Sequence, residues 1–497
     1  MCTPTMQSRQ LRRATNQMMH EPLRVAAEEL IAAAPCSLEM PAGTGKTHLL
    51  AAAAAVAASD GKRSLVLTHT NAGVDAIRKR LRAFGVPELQ FRVDTITSWA
   101  FSLVRSYSSI AGMSVPEVPD WTQSDDYLKA ATTVAGSRAI VDVMAVSFDY
   151  LFIDEYQDCT LVLHEFVMAL AAAIPKSVIL GDRLQAIFTF VGPMATWDGH
   201  VLPDFPEHVL AVEPHRWTNH NRDLGQWLLD IRPELVDGRV FDFAAHSVPG
   251  LTYVSGTGPD VLAAVAYSFR DFDESVVLLD KWPNDVATHA SRLGGSFSVM
   301  EDISGNFMRA QLQGLPAEGD SQLAWWFANF AKACVVGLSG IDAPVLKRLA
   351  DSQGVAHYTR AGIEPILVAL DKLRDTPTYA QLAQTATDVR GVKGLRIYRW
   401  EAWHDTLEAI ALTAENGDAV GGNLARVRDR LRRTGRRNDN RIASRTLLVK
   451  GLEYDHVIIA DVSKMQDPCN LYVALSRARK SVTVFGSSSL VQLRSGA

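Results

Sequence analysis

The stretch Met40-Pro-Ala-Gly-Thr-Gly-Lys-Thr47 decides the fold, because it joins a short apolar run to a helical pattern that starts at about Lys46. In a strand–loop–helix unit of this composition, loop N–H groups face a phosphate, the lysine reaches the β- and γ-phosphates, and the hydroxyl binds Mg²⁺. The residues at these positions are Gly43, Thr44, Gly45, Lys46 and Thr47. Met40 stands where G-x-x-x-x-G-K-[ST] has its first glycine, so a glycine-rich turn that caps a helix is the alternative.

A second motif, Tyr150-Leu-Phe-Ile-Asp-Glu-Tyr-Gln-Asp158, puts two carboxylates after a buried apolar strand. Ligands of α/β sheets bind at the carboxyl ends of strands. Asp154 can hold Mg²⁺ there, and Glu155 can polarise an attacking water. Adjacent carboxylates at a strand end are often only a solvated turn. Their combination with Lys46 and Thr47 predicts a site that hydrolyses a nucleoside triphosphate.

Short apolar runs alternate with helical patterns in two parts of the chain, which predicts an α/β fold with parallel sheets. Strands are predicted at residues 37–39, 64–67, 150–153, 177–180, 251–254, 275–279, 446–449, 457–460 and 481–485. We predict a first domain at 1–100 and 148–205, interrupted by a small helical insertion at 101–147. A second domain is predicted at 206–294 and 441–497, with a helical insertion at 295–440.

Composition indicates a large globular protein. The 497 residues suggest about three packed units, and 47% hydrophobic and 21% charged residues exclude wholesale disorder. Five scattered cysteines without a C-x-x-C pair exclude a disulfide framework. The 13 histidines show no ligand-like spacing, so Mg²⁺ is the one metal expected. The longest apolar run, 49–58, is mostly alanine and too short to cross a bilayer, which favours a cytoplasmic protein without a membrane partner.

The ordered motifs resemble those of the UvrD/Rep/PcrA-type superfamily I helicases. The DEYQD sequence at 154–158 is similar to motif II of that family. The other similar segments are motif Ia at 67–72, a further DNA-contacting motif at 94–98, motif III at 181–190, motif IV at 214–217, motif V at 450–454 and motif VI at 471–479. The resemblance implies two RecA-like P-loop NTPase domains that bind ATP and Mg²⁺, with single-stranded DNA crossing both.

The resemblance also implies roles for single residues. Gln185 would sense the γ-phosphate and position water, while Arg216 and Arg477 would reach across from the second domain to neutralise charge during phosphoryl transfer. Glu453 would bind the ribose, and His215 would stack on the base. The residues implied to contact DNA are Thr68, His69, Asn71, Thr95 and Phe190. Taken singly, Phe190 could equally belong to the core and Arg477 to an ordinary ion pair.

Several positions depart from the family pattern. No adenine-reading glutamine stands close before Lys46, since Gln17 is too far upstream. Val191 replaces the arginine that usually follows the motif III aromatic residue, and Leu447 replaces the motif V histidine. These changes favour retained hydrolysis over tightly coupled unwinding. The short insertions and the 17 or so residues after motif VI lead us to expect a separate nuclease subunit as partner, as in Gabija-type anti-phage systems.

An arginine-rich segment at 424–441 contrasts with the formal charge of −5 for the chain. Its eight arginines and two aspartates give it a net charge of +6, which leaves −11 for the remainder. The segment could bind a duplex phosphate backbone, or it could be a solvated helix face. The residues predicted to contact phosphates are Arg432, Arg433, Arg436 and Arg437. The aromatic cluster at 325–330 is predicted to be core, with base stacking as the alternative.

Two functions follow from these patterns. The first is an ATP-dependent helicase that moves 3′→5′ along single-stranded or tailed duplex DNA, in DNA repair or anti-phage defence. The second is a DNA-stimulated NTPase switch, or DNA-end sensor, that regulates a partner nuclease with little unwinding.

Overall fold

A computed structural model describes residues 19–117, 119–188, 192–269, 273–434 and 439–494, without the side chains of 432–434. The described strands are β1 Cys36–Glu39, β2 Ser64–Thr68, β3 Phe91–Thr95, β4 Tyr150–Ile153, β5 Ser177–Gly181, β6 Val240–Asp242, β7 Leu251–Ser255, β8 Val276–Leu279, β9 Ser298–Val299, β10 Val335–Val336, β11 Arg396–Ile397, β12 Arg441–Ser444, β13 Tyr454–Ile459, β14 Ala478–Gly486 and β15 Leu490–Gln492. The described helices are α1 Glu21–Ala32, α2 Lys46–Ser59, α3 Asn71–Ala83, α4 Ile96–Ser106, α5 Ser108–Ala111, α6 Ser124–Ala135, α7 Arg138–Ser147, α8 Leu161–Ala173, α9 Arg222–Asp230, α10 Arg232–Val236, α11 Pro259–Ser268, α12 Pro283–Arg292, α13 Asn306–Gln313, α14 Gln322–Cys334, α15 Ala343–Ala350, α16 Glu364–Asp375, α17 Tyr379–Gly391, α18 Trp400–Asn416, α19 Val420–Thr434 and α20 Pro468–Leu475.

The chain divides into two compact units, each with a parallel sheet. Unit 1 comprises Met1–Asp237 and Pro468–Ser476, and unit 2 comprises Gly238–Asp467 and Arg477–Ala497. The sheet of unit 1 has the strand order β1-β5-β4-β2-β3, and that of unit 2 has the order β7-β14-β13-β8-β12-β9. The predicted α/β class with parallel sheets is confirmed.

Apolar packing explains why the P-loop helix forms where it does. Residues Leu49 to Ala58 of α2 are all buried, and they share a core with α1, α3 and the strands of the first sheet. Alanine has the highest helix propensity, and its small side chain lets neighbouring elements approach closely. The run that was too short for a membrane span is therefore a helix inside a domain. Among the described residues, no helix combines the length and the apolar composition that crossing a bilayer requires.

One strand prediction is wrong, and several strands were not predicted, namely β3, β6, β9 to β12 and β15. Thr446–Val449 is a 3₁₀ turn, and the strand is the preceding β12, which pairs with β8 and β9. In the turn Thr446 and Val449 are buried, while Leu447 and Leu448 are partly buried. The missed strand β3 pairs with β2 at the sheet edge, and its exposed Arg92 interrupts the apolar run that would have revealed it.

The boundary expected at residue 206 differs from the observed division. Residues 206–237 pack on the first sheet, where the Ser37 N–H donates to the Pro206 carbonyl at 3.0 Å and the His208 N–H donates to the Ser37 carbonyl at 2.8 Å. Helix α20, which was expected in the second domain, also belongs to unit 1. Its first turn is anchored there, because the Cys469 thiol donates to the Arg183 carbonyl at 3.4 Å.

The segments expected as insertions are rich in helices. Residues 101–147 contain α5 to α7 and the end of α4, and residues 295–440 contain α13 to α19 with the short strands β9 to β11. Trp326 stacks on Phe330 with ring centroids 5.2 Å apart, and Phe327 and Phe330 are fully buried. These three aromatic residues are core, as predicted, while Trp325 is 38% exposed.

Candidate nucleotide-binding site

The phosphate-loop residues lie at the carboxyl edge of the first sheet, between β1 and α2. Gly43 and Gly45 have φ angles of 73° and 89°, in the left-handed region that glycine adopts without strain. Gly45 precedes the first residue of α2, Lys46, and the Thr44 hydroxyl donates to the Pro41 carbonyl at 2.7 Å. The loop thus has the backbone form that directs N–H groups to a phosphate.

Met40 has a structural role that accounts for its departure from the glycine pattern. Its N–H donates to the Gly181 carbonyl at 2.9 Å, which continues the pairing of β1 with β5 by one residue. Its side chain is buried in the core beside α2. The backbone here is that of an extended strand end, so this position does not require glycine.

The two carboxylates that follow β4 converge on the start of α2. Lys46 Nζ lies 2.9 Å from Glu155 Oε1 and 4.0 Å from Asp154 Oδ1. The Thr47 hydroxyl donates to Asp154 Oδ2 at 3.2 Å. Hydroxyl and carboxylate oxygens are ligands that Mg²⁺ accepts, and these two are close enough to bind the same ion. The donor set therefore fits the predicted metal.

Burial and charge shape the protonation of this cluster. Burial alone lowers the pKa of Lys46, but the carboxylates of Glu155, Asp154 and Asp182 together raise the pKa above its usual value. Burial raises the pKa of Asp154 to about 6, against the opposing effect of Lys46. Lys46 is therefore held as a cation at neutral pH.

Glu155 has a backbone conformation that is unusual for a residue with a side chain. Its φ angle is 59°, and its backbone N–H donates to Asp154 Oδ1 at 3.0 Å. Left-handed non-glycine residues cost about 1–3 kcal/mol and cluster at functional sites. The conformation occurs where the Glu155 carboxylate meets Lys46, and the Gln157 amide also donates to this carboxylate.

Gln185 belongs to the same hydrogen-bonded network. Its side-chain amide donates to Asp182 Oδ2 at 2.9 Å, and Asp182 follows β5 directly. The Asp182 N–H donates to Gln157 Oε1 at 3.0 Å. Gln157 thus bridges Glu155 to the Gln185 turn. Gln157 and Asp182 lie within the segments similar to motifs II and III, but the resemblance implies no role for them.

The turn His215–Trp217 lies on the phosphate loop. The Arg216 N–H donates to the Gly43 carbonyl at 3.0 Å. A Cβ atom on Gly43 would lie 2.5 Å from the Trp217 ring, and one on Gly45 would lie 3.2 Å from the His215 ring. Arg216 was expected to reach the loop from the second domain, but it belongs to unit 1, because its turn packs directly on the loop.

Arg477 and Glu453 belong to unit 2. The Arg477 side chain is 1% exposed and its guanidinium donates to the Leu452 carbonyl at 3.3 Å, while Glu453 is exposed. The Tyr454 N–H donates to the Arg477 carbonyl at 2.9 Å. These contacts place Arg477 beside the loop that carries Glu453.

The residues predicted to contact DNA lie after β2 and β3. Thr68 and Thr95 are buried strand ends, and the Thr95 hydroxyl accepts the Ser98 N–H at 3.0 Å as the cap of α4. His69 Nε2 lies 3.4 Å from Cys159 Sγ, and Asn71 is exposed at the start of α3. The prediction for Phe190 lies outside the described residues.

Three arginines of the arginine-rich segment pair with acidic residues, and Arg441 donates to the Phe269 carbonyl at 3.0 Å. The pairs are Arg426 with Asp418, Arg428 with Asp405 and Arg430 with Glu408. These paired arginines belong to a solvated or packed helix face and do not form a free cationic patch. Arg432 and Arg433 stand in α19 without described side chains, and Arg436 and Arg437 lie outside the described residues.

One cluster of possible metal ligands was not anticipated from the histidine spacing. His404, Asp405 and Glu408 on α18 present ligand atoms within 4.8 Å of one another. Arg428 pairs with Asp405 at 2.7 Å and Arg430 pairs with Glu408. Because arginine already neutralises both carboxylates, we assign no metal to this cluster.

Comparison with known protein families agrees with this geometry. A family model described as an AAA domain, which is found in UvrD/Rep-like helicases, matches residues 24–191. The match supports a P-loop, helicase-like NTPase. The matched third of the chain contains the phosphate loop, the two carboxylates and Gln185. No curated protein matches the chain.

Proposed function

We propose that the chain is an ATP-dependent helicase of the UvrD type, which moves 3′→5′ along single-stranded DNA in DNA repair or anti-phage defence. The observation that carries the proposal is the convergence of five predicted residues at one sheet edge: Lys46, Thr47, Asp154, Glu155 and Gln185. Hydrolysis needs a cation at the phosphates, oxygen ligands for Mg²⁺ and a polar group for water, and this set supplies all three.

Each residue has a distinct task in the proposed hydrolysis. The phosphates replace Glu155 as the partner of Lys46, which leaves the Glu155 carboxylate available to polarise water. Thr47 and Asp154 would hold Mg²⁺, which would supply positive charge against the phosphates. Gln185 orients the water against the γ-phosphate. Arg477 supplies positive charge as the transition state forms.

The base and the DNA have their own proposed contacts. His215 stacks on the base and Glu453 binds the ribose. Single-stranded DNA follows the carboxyl ends of β2 and β3, where His69 and Asn71 are accessible. Base stacking on an aromatic residue such as Phe190 would be independent of sequence.

The alternative is an NTPase switch that senses DNA ends and activates a separate nuclease. One observation favours it: the described arginines of α19 are neutralised by carboxylates, which reduces the positive charge available for holding a duplex during unwinding.

Strand displacement separates the two functions. The full chain is assayed on 3′-tailed and 5′-tailed duplexes, together with ATP hydrolysis with and without DNA. Displacement of the 3′-tailed duplex alone supports the helicase. DNA-stimulated hydrolysis without displacement refutes the helicase and leaves the switch.

A further inference from the structure

Arg232 links the two strands that lead into the nucleotide site. Its side chain is 14% exposed, and its guanidinium lies 2.6 Å from Glu39 Oε1 and 2.9 Å from Asp182 Oδ1. Glu39 ends β1 just before the phosphate loop, and Asp182 follows β5 just before the Gln185 turn. One guanidinium therefore holds the carboxyl ends of two neighbouring strands, a geometry that its planar fork permits.

The contact with Asp182 bears directly on Gln185. The Asp182 side chain is fully buried, and it accepts hydrogen bonds from the Gln185 amide at 2.9 Å and the Leu184 N–H at 3.1 Å. The Arg232 guanidinium lies against the same carboxylate that accepts the Gln185 amide, so the orientation of Gln185 depends on Arg232 through Asp182.

A third contact of Arg232 reaches helix α20. The guanidinium carbon lies 5.0 Å from the centroid of the Tyr472 ring, and Tyr472 is fully buried. Burial and the nearby Asp182 carboxylate raise the pKa of Tyr472 to about 12, so its hydroxyl stays neutral. Ser476, the residue that follows α20, is held near the phosphate loop, because the Arg216 guanidinium donates to the Ser476 carbonyl at 2.5 Å. Arg232 thus joins α20 to the phosphate-loop strand and to the Gln185 turn.

We propose that Arg232 is a positioning residue for nucleotide hydrolysis, which sets the Gln185 amide through Asp182 and aligns it with the phosphate loop through Glu39. The role rests on the proposed function, because it presumes that Gln185 acts at the γ-phosphate. Arg232 lies outside every motif that the sequence displays, and it would act through its neighbours rather than on the nucleotide itself.

Arg232→Lys tests the role, because an ammonium keeps the charge but cannot fork between two carboxylates. A displacement of about 1 Å in a positioning group can cost up to roughly a hundredfold in rate. We expect kcat for ATP to fall about tenfold to a hundredfold, while KM changes by less than about twofold. Equilibrium binding should show unchanged affinity for ADP and weaker preference for a non-hydrolysable ATP analogue over ADP.

Arg399→Lys in unit 2 is the matched control. Arg399 is similarly buried, pairs with Glu301 at 2.7 Å and lies over the Phe307 ring. This variant should lower the melting temperature but leave kcat and the ATP-to-ADP preference unchanged. Arg232→Gln extends the series, with a larger loss of kcat than Arg232→Lys; where it fails to fold, the lysine variant still decides.

The outcomes separate this role from the proposed function. Wild-type kcat and nucleotide preference in Arg232→Lys would overturn the role of Arg232 alone. A parallel loss of ADP binding and kcat would also overturn it, since a merely structural residue behaves in that way. A wild-type chain that neither binds nor hydrolyses nucleotide would overturn both proposals.

Discussion

Gly43→Ala should disrupt the phosphate loop through two additive effects. The first is backbone strain, because a residue with a side chain at φ 73° costs about 1–2 kcal/mol. The second is steric, since the new Cβ would lie 2.5 Å from the Trp217 ring and 2.9 Å from Arg216 Cβ. Trp217 is fully buried and cannot move aside, so overpacking adds about 1–3 kcal/mol. The total loss of unfolding free energy is about 2–5 kcal/mol.

Gly61→Ala is the control for backbone strain alone. The difference in unfolding free energy between the two variants therefore gives the steric cost at Gly43. Gly61 has a φ angle of 76°, and no atom lies within 4 Å of the position its Cβ would occupy. Its substitution should therefore cost only the strain of about 1–2 kcal/mol. The assay is urea unfolding of the full chain for both variants, with nucleotide affinity measured in parallel. Gly43→Ala should weaken nucleotide binding, and Gly61→Ala should not.

A double variant tests whether Trp217 is the cause. Trp217→Phe removes the outer ring atoms that the new Cβ would meet, so Gly43→Ala should cost less in that background than in the wild type. Equal destabilisation by Gly43→Ala and Gly61→Ala, with no coupling to Trp217→Phe, would refute this reasoning.

Three further predictions concern the proposed chemistry. Lys46→Ala should lower hydrolysis at least a hundredfold, in line with the loss of electrostatic transition-state stabilisation; Lys62→Ala, at a surface lysine that pairs with Asp149 at 2.9 Å, should not. Full hydrolysis by Lys46→Ala would contradict the site. Arg477→Ala should bind nucleotide but hydrolyse it poorly, whereas equal loss of binding and hydrolysis in a nucleotide titration would indicate a folding role. A variant with glutamine at Arg432, Arg433, Arg436 and Arg437 should show a flatter salt dependence of DNA binding. An unchanged slope would exclude phosphate contacts by these four residues.

The nucleotide site was largely predictable because its chemistry is encoded locally. Lys46 and Thr47 are adjacent in the chain, and so are Asp154 and Glu155. The parallel sheet then brings both segments to one edge, as the two apolar strands before them predict. Strand β4 was predicted at 150–153 and observed there.

The remaining features depend on contacts between distant parts of the chain. Nothing around Arg232 marks it as a partner of both Glu39 and Asp182, which are 193 and 50 positions away in the sequence. The sequence likewise shows no sign that residues 206–237 pack on the first sheet. The error at Thr446–Val449 has a local origin, because an apolar run of four residues fits a buried turn as well as a strand.

The discontinuity of unit 1 has a consequence for synthesis on the ribosome. Residues up to Asp237 emerge first, but the segment Pro468–Ser476 that completes the unit follows about 240 residues later. At about 5–20 residues per second, translation delays completion by roughly 12–50 s. During that interval Arg232 has no Tyr472 to cover it, and the Arg216 guanidinium has no Ser476 carbonyl. The contacts of Tyr472 with Arg232 and of Ser476 with Arg216 therefore form only after residue 476 has been translated.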